Sequence, residues 1–177
     1  KYLDIDPTRD LVFGSKTGNP GGIRIYDVSD PTDPTESGSS LSAAFIGTLG
    51  IANHRSRNLC FIVDDDAMYA FSTGATNPSQ NGSTLSDSTN LNQAKAIKLD
   101  ESNNIAFVAI SNGIASVNIA NTSSMAILDT AQSTNAGDNQ DIAIDLDAGI
   151  AFVTVAQYNR GGLMCFDISN PSSISLL

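Results

Sequence analysis

Residues 22–34 read GIRIYDVSDPTDP and residues 162–173 read GLMCFDISNPSS. Each is an apolar run with polar residues between, closed by Asp-Val/Ile-Ser-Asp/Asn-Pro. A phrase that returns at long range within one chain marks a repeat architecture, and its period decides the fold before any local reading does.

Working outward from these stretches exposes two more copies. A hairpin signature recurs as LDIDPTRDLVF (3–13), IANHRSRNLCF (51–61), IKLDESNNIAF (97–107) and AIDLDAGIAF (143–152). Phe13, Phe61, Phe107 and Phe152 act as register marks, 48, 46 and 45 residues apart. A third apolar run follows each: Ile23–Val28, Met68–Phe71, Ile114–Ile119 and Leu163–Ile168. A weaker fourth run is read at Ala43–Ile46, Ser83–Leu85, Met125–Leu128 and Ile174–Leu177. Alternation of period two dominates, and the stretch nearest to a helix, Asn92–Lys98, is short.

Four short strands in about 45 residues is the size of one propeller blade, which makes the chain all-β: a β-propeller of four-stranded antiparallel blades. The blades fall approximately at 1–48, 49–94, 95–139 and 140–177. Pro7–Asp10 and Glu101–Asn104 are short polar turns, and Gly149 supplies a residue that tolerates positive φ. About four blades are expected, either as a closed ring or, preferably, as part of a larger propeller, because six to eight blades close with less strain within the usual range.

The Gly-apolar-x-apolar-x-Asp-Val/Ile-Ser-Asp/Asn-Pro pattern resembles the LVIVD repeat, a β-propeller repeat of secreted and surface-exposed proteins. The first and fourth copies match well, whereas 67–79 and 113–124 have lost the Asp and much of the Ser-Asp-Pro. The resemblance implies architecture and an extracellular or cell-surface setting. It carries no general catalytic motif. The motif itself has a structural reading: Asp27 and Asp167 accept backbone N–H groups at a strand end, and the following proline stops the ladder. The alternative reading is calcium, since Asp27, Asp30 and Asp33 recur every third residue, but the Asp-x-Asp-x-Asp-Gly pattern and distal Glu of a helix–loop–helix site are absent.

Composition bounds the partners. Nine basic against 19 acidic residues give a net charge of −10. No basic patch exists for phosphate, which excludes nucleic acid as an expected partner. No apolar stretch approaches the roughly 20 residues of a transmembrane segment. Polar blocks at Thr73–Asn92 and Thr35–Ser42 are expected as surface loops. Sequons stand at Asn81 and Asn121. Cys60 and Cys165 sit inside apolar strands of different blades and are expected as buried free thiols.

One constellation bears on chemistry. Seven residues before each register phenylalanine stand Asp6, His54, Asp100 and Asp145. On strands that line a central channel they form a candidate metal set at its mouth, with calcium the one cofactor contemplated. The competing reading makes each Asp the cap of its own turn. His54 lies beside Arg55 and Arg57, a candidate anion spot, and Asp64–Asp66 is either a cation site or a solvated turn. The single histidine has no partner motif for a triad or zinc site. The expected ligand-binding loops join second and third strands at Ser15–Gly22 and Gln157–Gly162, with Lys16, Asn19, Tyr158, Asn159 and Arg160 as contact residues.

The expectation is therefore a non-catalytic binding, adhesion or assembly module with a protein or glycan partner or self-association. A metal-assisted hydrolase of lactonase or phytase type, and a structural subunit of a filament or coat, are the alternatives.

Overall fold

The computed structural model describes residues 2–18, 20–42, 47, 50–74, 77–133, 138–157 and 160–177, without the side chains at 42, 138, 139, 157 and 160. Four antiparallel sheets follow one another along the chain. Blade 1 contains β1 (Leu3–Asp6), β2 (Leu11–Lys16), β3 (Gly21–Asp27) and β4 (Thr35–Ser42), paired in that order. Blade 2 contains β5 (Ile51–His54), β6 (Leu59–Asp64) and β7 (Ala67–Ser72), with β8 (Ser79–Gln80) and β9 (Leu85–Ser86) both on the outer side of β7. Blade 3 contains β10 (Ala96–Asp100), β11 (Ile105–Ile110), β12 (Gly113–Asn118) and β13 (Ala126–Gln132). Blade 4 contains β14 (Asp138–Asp145), β15 (Ile150–Gln157), β16 (Arg160–Asp167) and β17 (Ser175–Leu176). The one helical segment among the described residues is a 3-10 turn at Arg55–Arg57.

The inner strands β1, β5, β10 and β14 stand side by side in that order, so the blades form an arc in chain sequence. Each blade meets the next through an apolar layer. Phe13, Ile23 and Ile25 pack on Ile51, Ile62 and Phe71. Phe61, Val63 and Met68 pack on Ala106, Val108 and Val117. Phe107, Ala109 and Ile114 pack on Ala151, Val153 and Phe166. Period-two alternation explains this layering: the register phenylalanine faces the following blade, while its neighbours in the strand face the preceding one. A strand between two blades must then be apolar on both faces. β6 (LCFIVD) and β11 (IAFVAI) are buried along their whole length for that reason. Among the described residues β2 (LVFGSK) has a blade on one side, and its burial pattern is mixed.

Three expectations need correction. Thr35–Ser42 is strand β4, not a loop, and its ladder to β3 runs from Asp27↔Thr35 to Gly21↔Ser42. An outermost strand has little core to face, so TESGSSLS satisfies its backbone with Leu41 as its one large apolar residue. The run Ala43–Ile46 read as that strand lies outside the described residues. Thr73–Asn92 is likewise not one loop, since β8 and β9 pair within it to β7. Cys60 is a buried free thiol, whereas the free thiol Cys165 is partly exposed. It lies beside Phe152 in the ladder, on the side of blade 4 that no described blade covers.

Candidate functional site

The short hairpin between first and second strands builds one end of the arc. Asp6, His54, Asp100 and Asp145 each end an inner strand and pair with the first residue of the second, at Leu11, Leu59, Ile105 and Ile150. The loop then turns through a left-handed residue three positions before the phenylalanine: Asp10 (φ 52), Asn58 (φ 52), Asn104 (φ 56) and Gly149 (φ 67). Asp and Asn enter that region more readily than other non-glycine residues, so all four turns share one geometry.

The carboxylates serve these turns. Thr8 N and Oγ1 donate to Asp6 Oδ1 at 3.0 and 2.6 Å, and Arg9 Nε donates to Oδ2 at 2.6 Å. Burial raises the Asp6 carboxyl, but bonds from Thr8 and Arg9 and the Arg9 charge outweigh it and bring it to about 2. Asp100 Oδ1 accepts from Ser102 N, Ser102 Oγ and Asn103 N, and Oδ2 from Asn103 Nδ2 at 2.7 Å. There too burial raises the carboxyl and the hydrogen bonds outweigh it, leaving Asp100 below its usual range. Asp145 accepts from Ala148 N at 3.0 Å and is exposed. His54 is buried, with Nε2 3.2 Å from Asn104 Oδ1, and Nδ1 3.3 Å from Ser56 Oγ and 3.4 Å from Glu101 Oε2. Among the described residues no group of three or more His, Cys, Asp or Glu is placed to hold a metal ion. The four side chains hold equivalent positions without converging.

Two arginines four residues before the phenylalanine tie successive blades together, a role the sequence reading missed. Arg9 Nη1 donates to Thr73 O of blade 2 at 3.0 Å, and its guanidinium carbon lies 5.7 Å from the centroid of the Phe13 ring. Arg57 Nη1 donates to Asn104 Oδ1 at 2.9 Å and Ile119 O at 2.7 Å, and Nη2 to Ala120 O at 2.9 Å, all in blade 3. Arg57 is thus committed to the protein rather than to an anion, and Arg55 Nε lies 3.8 Å from Glu101 Oε1. The recurrence of Arg at the same offset in two copies was the available signal. Between blades 3 and 4, where that position is Asn103, a cleft of about 460 Å³ opens, lined by Asp100, Asn103, Phe107, Leu128, Ile168 and Ser169 among others.

At the opposite end the blades differ in height. The second and third strands join through 65–66 in blade 2 and 111–112 in blade 3, but through 17–20 in blade 1. In blade 4 the ladder runs on to Gln157↔Arg160. That is two pairs further past the phenylalanine than Val63↔Met68 and Asp64↔Ala67 carry blade 2, roughly 7 Å of extra strand. Lys16 ends β2, half-buried, and its Nζ donates to Pro20 O. Arg160 opens β16, while Asn19, Tyr158 and Asn159 lie outside the described residues. Asp64–Asp66 forms the turn from β6 to β7, with burial raising the Asp64 carboxyl and the Asp65 charge adding to it.

The Asp-Val/Ile-Ser-Asp/Asn-Pro segments are turns. Ser29 N and Oγ donate to Asp27 Oδ1 at 2.9 and 2.6 Å, and Ser169 N and Oγ to Asp167 Oδ1 at the same distances. Thr32 N and Oγ1 donate to Asp30 Oδ1, and Ser172 N to Asn170 Oδ1. Asn81, one of the two sequon residues, is tied down: its Oδ1 accepts from Thr122 Oγ1 at 2.5 Å and its Nδ2 donates to Ser72 Oγ at 2.7 Å. Asn121 is exposed.

Similar solved structures share this architecture. A protein of unknown function from Desulfotomaculum acetoxidans has a TM-score of 0.74 at 19% identity, over 99% of this chain and 54% of that one. A putative 6-phosphogluconolactonase from Bacteroides uniformis has 0.71 at 12%, over 99% and 55%. A chain of the nidogen/laminin complex has 0.66 at 14%, over 94% and 60%. Such identities show the fold alone, and the chain spans little more than half the length of these structures. No curated protein matches it in sequence. No helix among the described residues is long and apolar enough to cross a membrane. The sequence model of the LVIVD repeat matches residues 19–41, 93–131 and 136–177, well over half of the chain. With four sheets in serial order and Asp-capped turns closing the third strands of the first and last, the chain belongs to the LVIVD-repeat family.

Proposed function

We propose that this chain is a non-catalytic binding module of a surface or secreted propeller, which engages a protein or glycan through the uneven face at the β2–β3 and β15–β16 ends. The observation that carries this reading is the height difference. The longer β15–β16 ladder and the four-residue connection in blade 1 stand above two short central turns, so a partner can lie across the notch between them. Lys16 ends β2 and Arg160 opens β16, with the acidic Asp64–Asp66 turn at the same end of blade 2, and Asn19, Tyr158 and Asn159 adjoin them in the sequence. The sequence Tyr158-Asn159-Arg160 supplies an aromatic, an amide and a guanidinium group, a composition that suits a wet, polar interface. At the other face the acids are engaged in their own turns, which favours scaffolding over acid–base work there. One of the similar folds is found in a protein–protein complex, that of nidogen with laminin.

The test is a variant carrying alanine at 16, 19, 158, 159 and 160, compared with the parent on intact source cells and a glycan array. Loss of binding with an unchanged melting temperature is the expected result. A saturable calcium isotherm coupled to lactone or phytate hydrolysis that disappears in Asp100→Asn would replace this reading with the metal-assisted hydrolase.

A further inference from the structure

The cleft between blades 3 and 4 exists because one residue type is missing from a repeated device. Position four before the register phenylalanine is Arg9, Arg57, Asn103 and Ala148 along the four blades. The first two reach forward to main-chain carbonyls just past the third strand of the next blade: Thr73 for Arg9, and Ile119 and Ala120 for Arg57. Ile168 and Ser169 are the equivalents in blade 4. The shared main-chain bonds fix that correspondence: Thr73 N donates to Asn58 O, Ile119 N to Asn104 O, and Ile168 N to Gly149 O.

Asn103 does not make the reach. Its side chain folds back onto Asp100 Oδ2, the place that Arg9 Nε takes on Asp6. Among the described residues no donor is recorded for the carbonyl oxygens of Ile168 and Ser169. The cleft therefore gathers acceptors of the kinds that Arg9 and Arg57 use elsewhere: two main-chain carbonyls, as at Arg57, and a carboxylate, as at Arg9, with the buried Phe107 among its lining. Leu128 and Leu146 add an apolar wall.

We propose that this cleft is a binding site for a guanidinium group, carried by a partner's arginine or by a small molecule, which takes the place that the protein's own arginine takes between the preceding blades. A guanidinium is preferred over an ammonium because its planar donor fork serves two adjacent carbonyls and a carboxylate at once. A carboxylate held ionised by its turn donors keeps the site anionic across the neutral range. The ligand is not tethered as Arg9 and Arg57 are, so it bears the association cost and a single group should bind with a Kd on the order of 1 mM.

The experiment is an amide chemical-shift titration of the 177-residue chain with Nα-acetyl-arginine methylamide, using its citrulline and lysine counterparts as controls. Saturable shifts at Asn103, Gly149 and Ser169 are expected, with citrulline weaker by about tenfold, since it keeps the shape and loses the charge-assisted bonds. Asn103→Arg should fill the cleft from within, raise the melting temperature and abolish the response, whereas Asn103→Ala should fold and still bind. A peptide with one arginine between two leucines separates the sources: tighter binding than the free amide supports a protein partner, and equal binding supports a small guanidinium compound. No saturable shift at these amides, equal binding of citrulline, or an undiminished response in Asn103→Arg would overturn the proposal.

Discussion

A carboxylate at the end of a strand is an acceptor for the next two or three backbone N–H groups, and this chain uses that chemistry throughout. Asp6, Asp27, Asp30, Asp87, Asp100 and Asp167 all sit below the usual carboxylate range. At Asp27, Asp30, Asp87 and Asp167 side-chain hydrogen bonds are the leading cause, whereas at Asp6 and Asp100 they overcome an opposing burial effect. A carboxyl whose folded pKa is depressed stabilises the fold above its unfolded pKa of about 3.9, and that stability is lost as pH falls through the folded value. Asp64 works in the opposite sense, being raised by burial, so its contribution is present at low pH and fades as pH rises through its folded pKa. Six groups outweigh one. The urea midpoint should stay level through neutral pH and fall between about pH 4 and pH 2, the window set by the unfolded value and Asp6. Asp6→Asn should flatten part of that fall and lower the midpoint at pH 7. A midpoint that climbs on acidification would contradict the account.

At the scale of the hairpin, the left-handed residue is what lets a four-residue loop return the chain in register. Gly149→Ala forces a Cβ into that conformation, where it would meet Ser169 Cβ at 3.0 Å, and a cost of about 1–2 kcal/mol is expected. The same column gives a contrast that separates strain from recognition. Asp10→Gly relieves the backbone and removes no recorded side-chain bond, so its effect should stay within about 0.5 kcal/mol. Asn104→Gly relieves the same strain but deprives Arg57 and His54 of a shared acceptor, and should cost about 1–2 kcal/mol. Urea unfolding of the three variants checks the ordering, and equal losses for Asp10→Gly and Asn104→Gly would remove the arginine staple from the explanation.

At the scale of the molecule, the repeat implies a neighbour for each blade face. The register phenylalanines are 0% exposed at Phe13 and Phe61 and 1% at Phe107, because a following blade covers each. Phe152 has no following blade among the described residues and is half-buried beside Leu163, which is 60% exposed. On the preceding side of blade 1, Leu3 is 74% and Ile5 49% exposed. Phe107→Ala should cost about 3–5 kcal/mol through lost burial and a cavity, while Phe152→Ala should cost less than about 2. Comparable losses at the two positions, measured by urea unfolding of the intact protein, would mean that something else covers blade 4.

The period, the all-β class, the three inner strands of each blade and the Asp-Val/Ile-Ser-Asp/Asn-Pro turns could be read from the sequence. Alternation and turn chemistry are local: Asp27 needs only Ser29, and Gly149 needs only its own φ. The outer strand β4 escaped the reading because a serine-rich strand at a sheet's rim carries no apolar alternation, its pairing to β3 being a matter of backbone alone. The partial exposure of Cys165 escaped it because a strand does not announce which of its faces has a neighbour. Asp6, His54, Asp100 and Asp145 were legible as a column, but that they remain apart and serve their own turns depends on where four hairpins stand around the arc. Most of all, tertiary structure alone decided the arginine staples and the cleft where one is replaced. Arg57 meets carbonyls 62 and 63 residues away, and only the packing of one blade on the next brings such a donor and acceptor within hydrogen-bond reach.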